Sequence, residues 1–282
     1  MADTIFGKTE VDGVSQELIL GAMVQEQLIQ MAKLLPTVSN YSAPAGVDLL
    51  KIPKAGGFSV SDKSENVSVD AQVITYSTDD LALNKHKVIQ VLLEKFAVKQ
   101  SMVNALVDIA SRAGKALALQ LDTDIIAGLV ATSTSAPDHR IVYAVSGGAT
   151  IGQVDILEAK NLLTVQNVNT AECYLGISPK QEKAMLSIAD FVRADGYGSA
   201  QGLQAGLLGQ IYGFKVIVHN GFDDLKSIVW HPSHVAAAIQ ENVSFESQND
   251  LANLATRYSW DMIYGVKTLD AGKRGVLLGS SS

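Results

Sequence analysis

Residues 205–220 read A-G-L-L-G-Q-I-Y-G-F-K-V-I-V-H-N, and this stretch decides between a ligand loop and a structural turn. Three glycines, Gly206, Gly209 and Gly213, space out a short apolar run. A continuous strand candidate, Phe214 to Val218, follows and ends in the polar turn His219-Asn220-Gly221. Glycine tolerates positive φ and close approach of other backbone, so the run reads as a tight turn feeding a buried strand. A dinucleotide loop needs G-x-G-x-x-G between a strand and a helix, with a downstream acidic residue for the ribose. Here the glycines precede a strand, and Gly196-Tyr197-Gly198 upstream does not complete the spacing. No P-loop is present either, since Gly7-Lys8-Thr9 lacks the upstream glycine. An α/β enzyme using the Gly196–Gly213 loop is left as a remote alternative.

Composition narrows the function classes. The chain has 282 residues, enough for a sizeable core in one or two domains. Hydrophobic residues make up 47% and charged ones 18%, and the mean hydropathy is +0.17. That balance is somewhat apolar for a lone monomer and suits a subunit that buries much of its surface in an assembly, or equally a large-cored enzyme. The net charge of −7 argues against a general binder of phosphate backbones. Cys173 is the single cysteine, so no intramolecular disulfide forms, and it reads as a small buried hydrophobe. The N-terminus lacks the basic region, apolar run and cleavage site of a signal peptide, and no stretch approaches a membrane span. A soluble protein made in a cytoplasm is expected.

The pattern along the chain is uneven. After a polar opening that reads as an extended arm, Ser15 to Leu35 has helical spacing and stops at Pro36. Val47 to Pro53 is a strand candidate, 54–75 is polar and Gly/Ser-rich, and Tyr76 to Leu93 alternates as one strand. Together they describe a long hairpin arm that cannot bury itself. Val98 to Val130 is the strongest helix, with Leu106, Ala113, Leu117, Leu121, Ile125 and Leu129 on one face. At 1.5 Å per residue it would run roughly 45–50 Å. Beyond a Ser/Thr/Gly-rich loop, helices and strands alternate. A helix is expected at 154–165 and a strand at 173–177. Ser178-Pro179-Lys180-Gln181 is a capping box opening a helix to about Phe191. Strands follow at 214–218, 227–230, 241–248 and 256–267, with a helix from His231 through Ile239 between the second and third.

Candidate chemistry is thin. His231 and His234 could suggest a metal pair, but zinc needs three or four convergent ligands, so capping and packing roles are expected. Asp122 and Asp124 lie late in the long helix and read as solvated or paired with basic neighbours. No Ser/His/Asp arrangement carries a nucleophile-elbow signature. No catalytic residue, cofactor or metal is expected.

The order arm, helix, long hairpin, long helix, mixed α/β region and aromatic-rich strand resembles the HK97-type major capsid proteins of tailed bacteriophages. Ala110 to Ile126 is similar to that family's spine helix. Leu175 to Pro179 and Gly209 to Asn220 are similar to its axial strand, helix and Gly-rich turn. The W-H-P-S-H-V-A-A-A segment and Tyr258 to Lys267 are similar to its closing elements. The resemblance implies an α+β, HK97-like capsid fold: N-terminal arm and helix at 1–44, and an extended β-hairpin loop at 45–92. A peripheral domain with the spine helix would take 93–134 and 241–269, and an axial α/β domain 135–240 and 270–282. Gly206, Gly209, Gly213, Phe214 and Asn220 would form the structural turn of the axial domain. Lys54, Lys63, Glu65 and Asp70 would make inter-subunit contacts from the extended loop.

The implied function is self-assembly into hexamers and pentamers of an icosahedral virion shell enclosing double-stranded DNA without sequence-specific binding. Assembly would occur in the bacterial host cytoplasm, with no membrane partner. Portal and decoration proteins are possible partners under that resemblance. Because Met1 already lies in the arm, a separate scaffolding protein, or none, is expected. The family's founding member cross-links a loop lysine to a neighbour's asparagine. Lys54, Lys63, Asn242, Asn249 and Asn253 occupy the corresponding regions, but these residue types are common there and cross-linking is not expected. An encapsulin-like compartment shell shares the fold and is the alternative function.

Overall fold

The long helix is the beam on which the other elements sit. The computed structural model describes residues 24, 28, 32–63, 65–66, 68, 71–74, 76–94, 105–135, 137–143, 150–186 and 209–279. Helix α1 spans Ala105–Val130, 26 residues or about 39 Å; the expected start at Val98 lies outside the described residues. Its buried face carries Ala110, Ala113, Leu117, Leu121, Ile125 and Leu129, at steps of three and four. Of the expected first helix, Val24 and Leu28 are described; both are helical and buried in the same core.

The described residues form three sheets, two of which pack on this helix. Strands β1 (Ser39–Ser42), β4 (Lys85–Glu94), β10 (Val235–Asp250) and β11 (Ala255–Thr268) form a four-stranded sheet in the order β1-β10-β11-β4. Its inner face, with Trp260, Met262, Tyr264 and Ala237, packs on α1. Strands β5 (Arg140–Ile141), β6 (Tyr174–Ile177), β7 (Gln210–Ile211), β8 (Phe214–Val218), β9 (Lys226–Trp230) and β12 (Gly275–Gly279) form the second, in the order β5-β12-β9-β6-β8-β7. Alternation in β9 and β12 splits that sheet between two cores. Ile228, Trp230 and Leu277 point toward α1, whereas Val229, Val276 and Leu278 point toward α2 (Gln153–Val165) and α3 (Pro179–Leu186). Cys173 is buried in that second core, and burial pushes its thiol up to about 12. Strands β2 (Leu49–Ala55) and β3 (Tyr76–Ala82) pair with each other as a two-stranded hairpin.

Several elements differ from the sequence expectation. The expected helix from His231 through Ile239 is a 3-10 turn at Pro232–His234 followed directly by β10. Val235 to Ala238 are fully buried between parallel β1 and antiparallel β11. Alanine favours a helix in isolation, but here its small side chain lets Ala237 face α1 while Ala236 and Ala238 face the hairpin root. The single strand expected over Tyr76–Leu93 breaks at Leu83 and Asn84. β3 stays in the hairpin, and β4 crosses to the four-stranded sheet beside β11. The crossing is tight: a Cβ on Gly265 would lie 2.3 Å from the Ala82 carbonyl oxygen. Ser178 caps α3, accepting from Gln181 N–H at 3.4 Å. Gln181 does not complete a capping box; its amide donates to the Asp224 carbonyl oxygen at 2.6 Å and accepts from Ile151 N–H at 2.8 Å.

The largest departure concerns Asp122. It is fully buried, neither solvated nor paired with lysine or arginine. Its carboxylate accepts from the backbone N–H of Lys33 (3.1 Å) and of Leu34 (3.2 Å). His219 Nε2 stands 3.3 Å away. His219 Nδ1 accepts from Gly221 N–H at 2.9 Å, so the ring proton sits on Nε2 and points at the carboxylate. Burial pushes the Asp122 carboxyl above the usual carboxylate range, and these donors pull against that shift. Asp124, two residues on, is paired as expected: Lys85 Nζ lies 2.9 Å away and the Tyr264 hydroxyl donates to it.

Replacing Asp122 with alanine leaves the Lys33 and Leu34 N–H groups and the His219 ring N–H without their acceptor. Asp122→Ala is expected to destabilise the chain by about 3–5 kcal/mol in urea unfolding followed by tryptophan fluorescence. A loss under about 1 kcal/mol would show that these donors find other partners.

Candidate assembly surface

The β2–β3 hairpin has a fixed root and an apolar end. Its register runs from Leu49 opposite Ala82 to Ala55 opposite Tyr76. At the root, Leu81 is buried with Ala43, Ala236, Ala238 and Leu269, and Leu50, Ile52 and Leu83 pack against them. Polar contacts clamp the same region. Lys54 pairs closely with Asp270 and lies 3.7 Å from Asp79. Asp270 N–H donates to Asp79 at 3.1 Å. Lys267 Nζ donates to the Asp80 carbonyl oxygen at 2.7 Å, and Gln240 donates to that of Val47 at 2.8 Å. These bonds tie the hairpin root to β10, to β11 and to the 3-10 turn at Asp270–Gly272. The Lys54 ammonium, despite partial burial of the carboxylate, helps hold Asp270 below the usual range.

Beyond Ala55 and Tyr76 the two limbs leave the body of the molecule. Gln72 bridges them, accepting from Ser59 N–H at 3.0 Å and donating to the Ser59 carbonyl oxygen at 2.5 Å. The described side chains here are exposed: Phe58 71%, Val60 99%, Val73 89% and Tyr76 70%. Four large apolar groups on one projecting segment exceed what scattered surface exposure explains. Burying each would contribute about 1.5–3 kcal/mol. Sequence reading took 54–75 as polar and singled out its charges. The missed signal is the apolar pair two apart in F-S-V (58–60) and the V-I-T-Y run (73–76), on a segment with no core to receive them.

The expected contact residues fall in different places. Lys54 is at the root and engaged within its own chain. Lys63 and Glu65 are exposed on the projecting segment, and Asp70 lies outside the described residues. Of the expected turn, Gly206 is outside the described residues. Tyr212 (φ 50°) and Gly213 (φ 97°) form the two-residue link between β7 and β8, with Ile211 opposite Phe214. Positive φ at both positions is the geometry of a type I′ hairpin turn. Phe214 is fully buried in the α2–α3 core. Gly209 precedes β7 in open space, and Asn220 is exposed in the turn closed by Phe222 N–H on the His219 carbonyl oxygen. His219 itself, in that turn, reaches Asp122 and was not singled out in the sequence.

The two C-terminal histidines do not converge. His231 Nδ1 accepts from Ser233 N–H and caps the 3-10 turn, with Nε2 3.5 Å from Glu172. His234 turns into the core toward the Leu129 carbonyl oxygen. Among the described residues, no three His, Cys, Asp or Glu side chains gather as a metal site. A polar cavity of about 320 Å³ lies beside His231, Ser233 and Arg274, and Arg274 is engaged there with Ser233 (2.7 Å) and Asp270 (3.4 Å).

Comparison with known proteins agrees with the geometry. The sequence profile of the family described as phage capsid protein matches residues 88–278. No curated protein matches the chain in sequence. Among solved structures, a Mycobacterium phage Che8 chain is 23% identical with a TM-score of 0.68, covering 83% of this chain and 86% of that one. The capsid of a native GTA particle is 13% identical at TM-score 0.70, covering 89% and 91%. A virus-like particle from Pyrococcus furiosus is 13% identical at TM-score 0.59, covering 93% and 99%. These likenesses show the HK97-like fold.

If the hairpin end is an interface, Phe58→Ser with Val60→Ser changes stability by no more than about 0.5 kcal/mol, because both side chains are exposed in the single chain. The same double substitution is expected to abolish or strongly reduce particle formation in size-exclusion chromatography. Normal particle yield would separate this segment from assembly.

Proposed function

The chain belongs to the phage capsid protein family, and from that premise we propose that it is a major capsid protein. In this reading it self-assembles into hexamers and pentamers of an icosahedral virion shell that encloses double-stranded DNA. The observation that carries it is the hairpin: clamped at its root, apolar at its end, and exposed there among the described residues. A subunit with such an arm is completed by its neighbours. The net charge of −7 fits a wall that encloses nucleic acid without gripping it. The role is structural rather than catalytic. Assembly takes place in the host cytoplasm, with portal, decoration or scaffolding proteins as further partners.

The test is the size and content of the purified particle. Expressed alone or with a scaffold, the chain is expected to form rings or shells of megadalton mass by light scattering and negative-stain microscopy. From infected cells, the shell is expected to hold nuclease-protected DNA; a protein cargo in its place would favour a compartment shell. A persistent 29.9 kDa monomer would overturn both. Boiled in SDS, the particles are expected to give one band at the monomer mass, and a ladder would reveal covalent cross-links.

A further inference from the structure

Two buried imidazoles away from the assembly surface meet at one glycine. His139 and His234 are both fully buried. His139 Nδ1 lies 2.9 Å from the Gly275 carbonyl oxygen, and His234 Nε2 lies 3.1 Å from that of Leu129, at the C-terminal end of α1. A carbonyl oxygen only accepts, so these nitrogens carry the ring protons. The other two nitrogens, His139 Nε2 and His234 Nδ1, have no hydrogen-bond partner among the described residues. A Cβ on Gly275 would fall 2.6 Å from the His234 ring, so the imidazole lies directly against the first residue of β12.

His234 therefore touches three elements at once. Its ring holds the end of α1, its backbone carbonyl accepts from Leu269 N–H at 2.8 Å, and its face covers Gly275. Gly275 pairs with Trp230 in the six-stranded sheet, and Val235, the next residue, opens β10 in the four-stranded one. We propose that His234 is an acid-sensitive clasp between the two sheets: protonating Nδ1 puts a charged donor without an acceptor into the seam and loosens it.

The surroundings reinforce this. Among the described residues, the titratable and charged groups that act on the ring are His139, from the segment before β5, and Arg274, just before β12, and a positive charge on either opposes one on His234. From α1 comes only the Leu129 carbonyl oxygen. His231, in the same 3-10 turn, is directed to Glu172. Burial, more than these neighbours, pushes His234 from the usual 6.5 down to about 4. In the unfolded chain the ring takes up a proton below its ordinary value; in the folded chain it resists until much lower pH. Its contribution to stability is thus whole above about pH 6.5 and drains away as the pH falls toward 4.

The test is urea unfolding of the full-length chain at one protein concentration, at about pH 7 and about pH 4.5, read by tryptophan fluorescence. Trp230, opposite Gly275, is a built-in reporter. Between those pH values the unfolding equilibrium constant of the wild type is expected to rise roughly 60-fold more than that of His234→Gln, which keeps a donor but cannot titrate. Responses that match within about threefold would overturn the proposal. Should His234→Gln not fold, NMR of the wild-type chain with ¹³C-labelled histidine decides. The His234 ring is expected to stay neutral at about pH 5, and a protonated ring there would overturn the clasp.

Discussion

One buried carboxylate fixes how this subunit is put together. Asp122 lies in the interior face of the long helix, where an isolated charge is strongly unfavourable unless donors surround it. Here the donors come from far along the chain: the backbone of Lys33 and Leu34, and the imidazole of His219. Residues 33–34 and the turn after β8 are therefore held at the same point of α1. Trp230 repeats the link, its indole N–H donating to the Thr37 carbonyl oxygen at 3.1 Å. With those two anchors in place, Ile228 and Trp230 of the six-stranded sheet and Trp260 and Tyr264 of the four-stranded sheet share one core around the helix.

The same rigidity makes the hairpin meaningful. A β-hairpin without a covered face is only marginally stable in water. In this chain the root is ordered by Leu81 and by the Lys54, Asp79 and Asp270 cluster, all resting on the four-stranded sheet. Farther out, Phe58, Val60 and Val73 are exposed, and Gln72 and Ser59 bridge the two limbs. A firm root with an exposed apolar end is what a subunit needs to reach a neighbour in a fixed direction, since little conformational entropy remains to be lost on contact.

Much of this was legible in the sequence because it rests on periodicity. The i, i+3/i+4 spacing from Ala110 to Leu129 encodes the helix, and the alternation of Glu241 to Gln248 and the aromatic-rich Thr256 to Lys267 encode strands. Where tertiary context overrode local preference, the reading failed. The Val-Ala-Ala-Ala run at 235–238 has helical propensity but is squeezed between two strands, and only contacts distant in sequence decide that. The break after β3 depends on Gly265, nearly two hundred residues later. Asp122 reads like any surface aspartate because its partners are two backbone groups, which have no sequence signature, and a histidine far along the chain. The turn at Tyr212-Gly213 was readable because positive φ at Gly213 is encoded in the residue itself.

We propose that the hairpin end is an interface between copies of the chain. A cryo-electron microscopy reconstruction of the purified particle tests it most directly. Phe58, Val60 and Val73 are expected to pack against an adjacent subunit, with the Asp122 junction unchanged inside each subunit. Particles in which these side chains face solvent would contradict it.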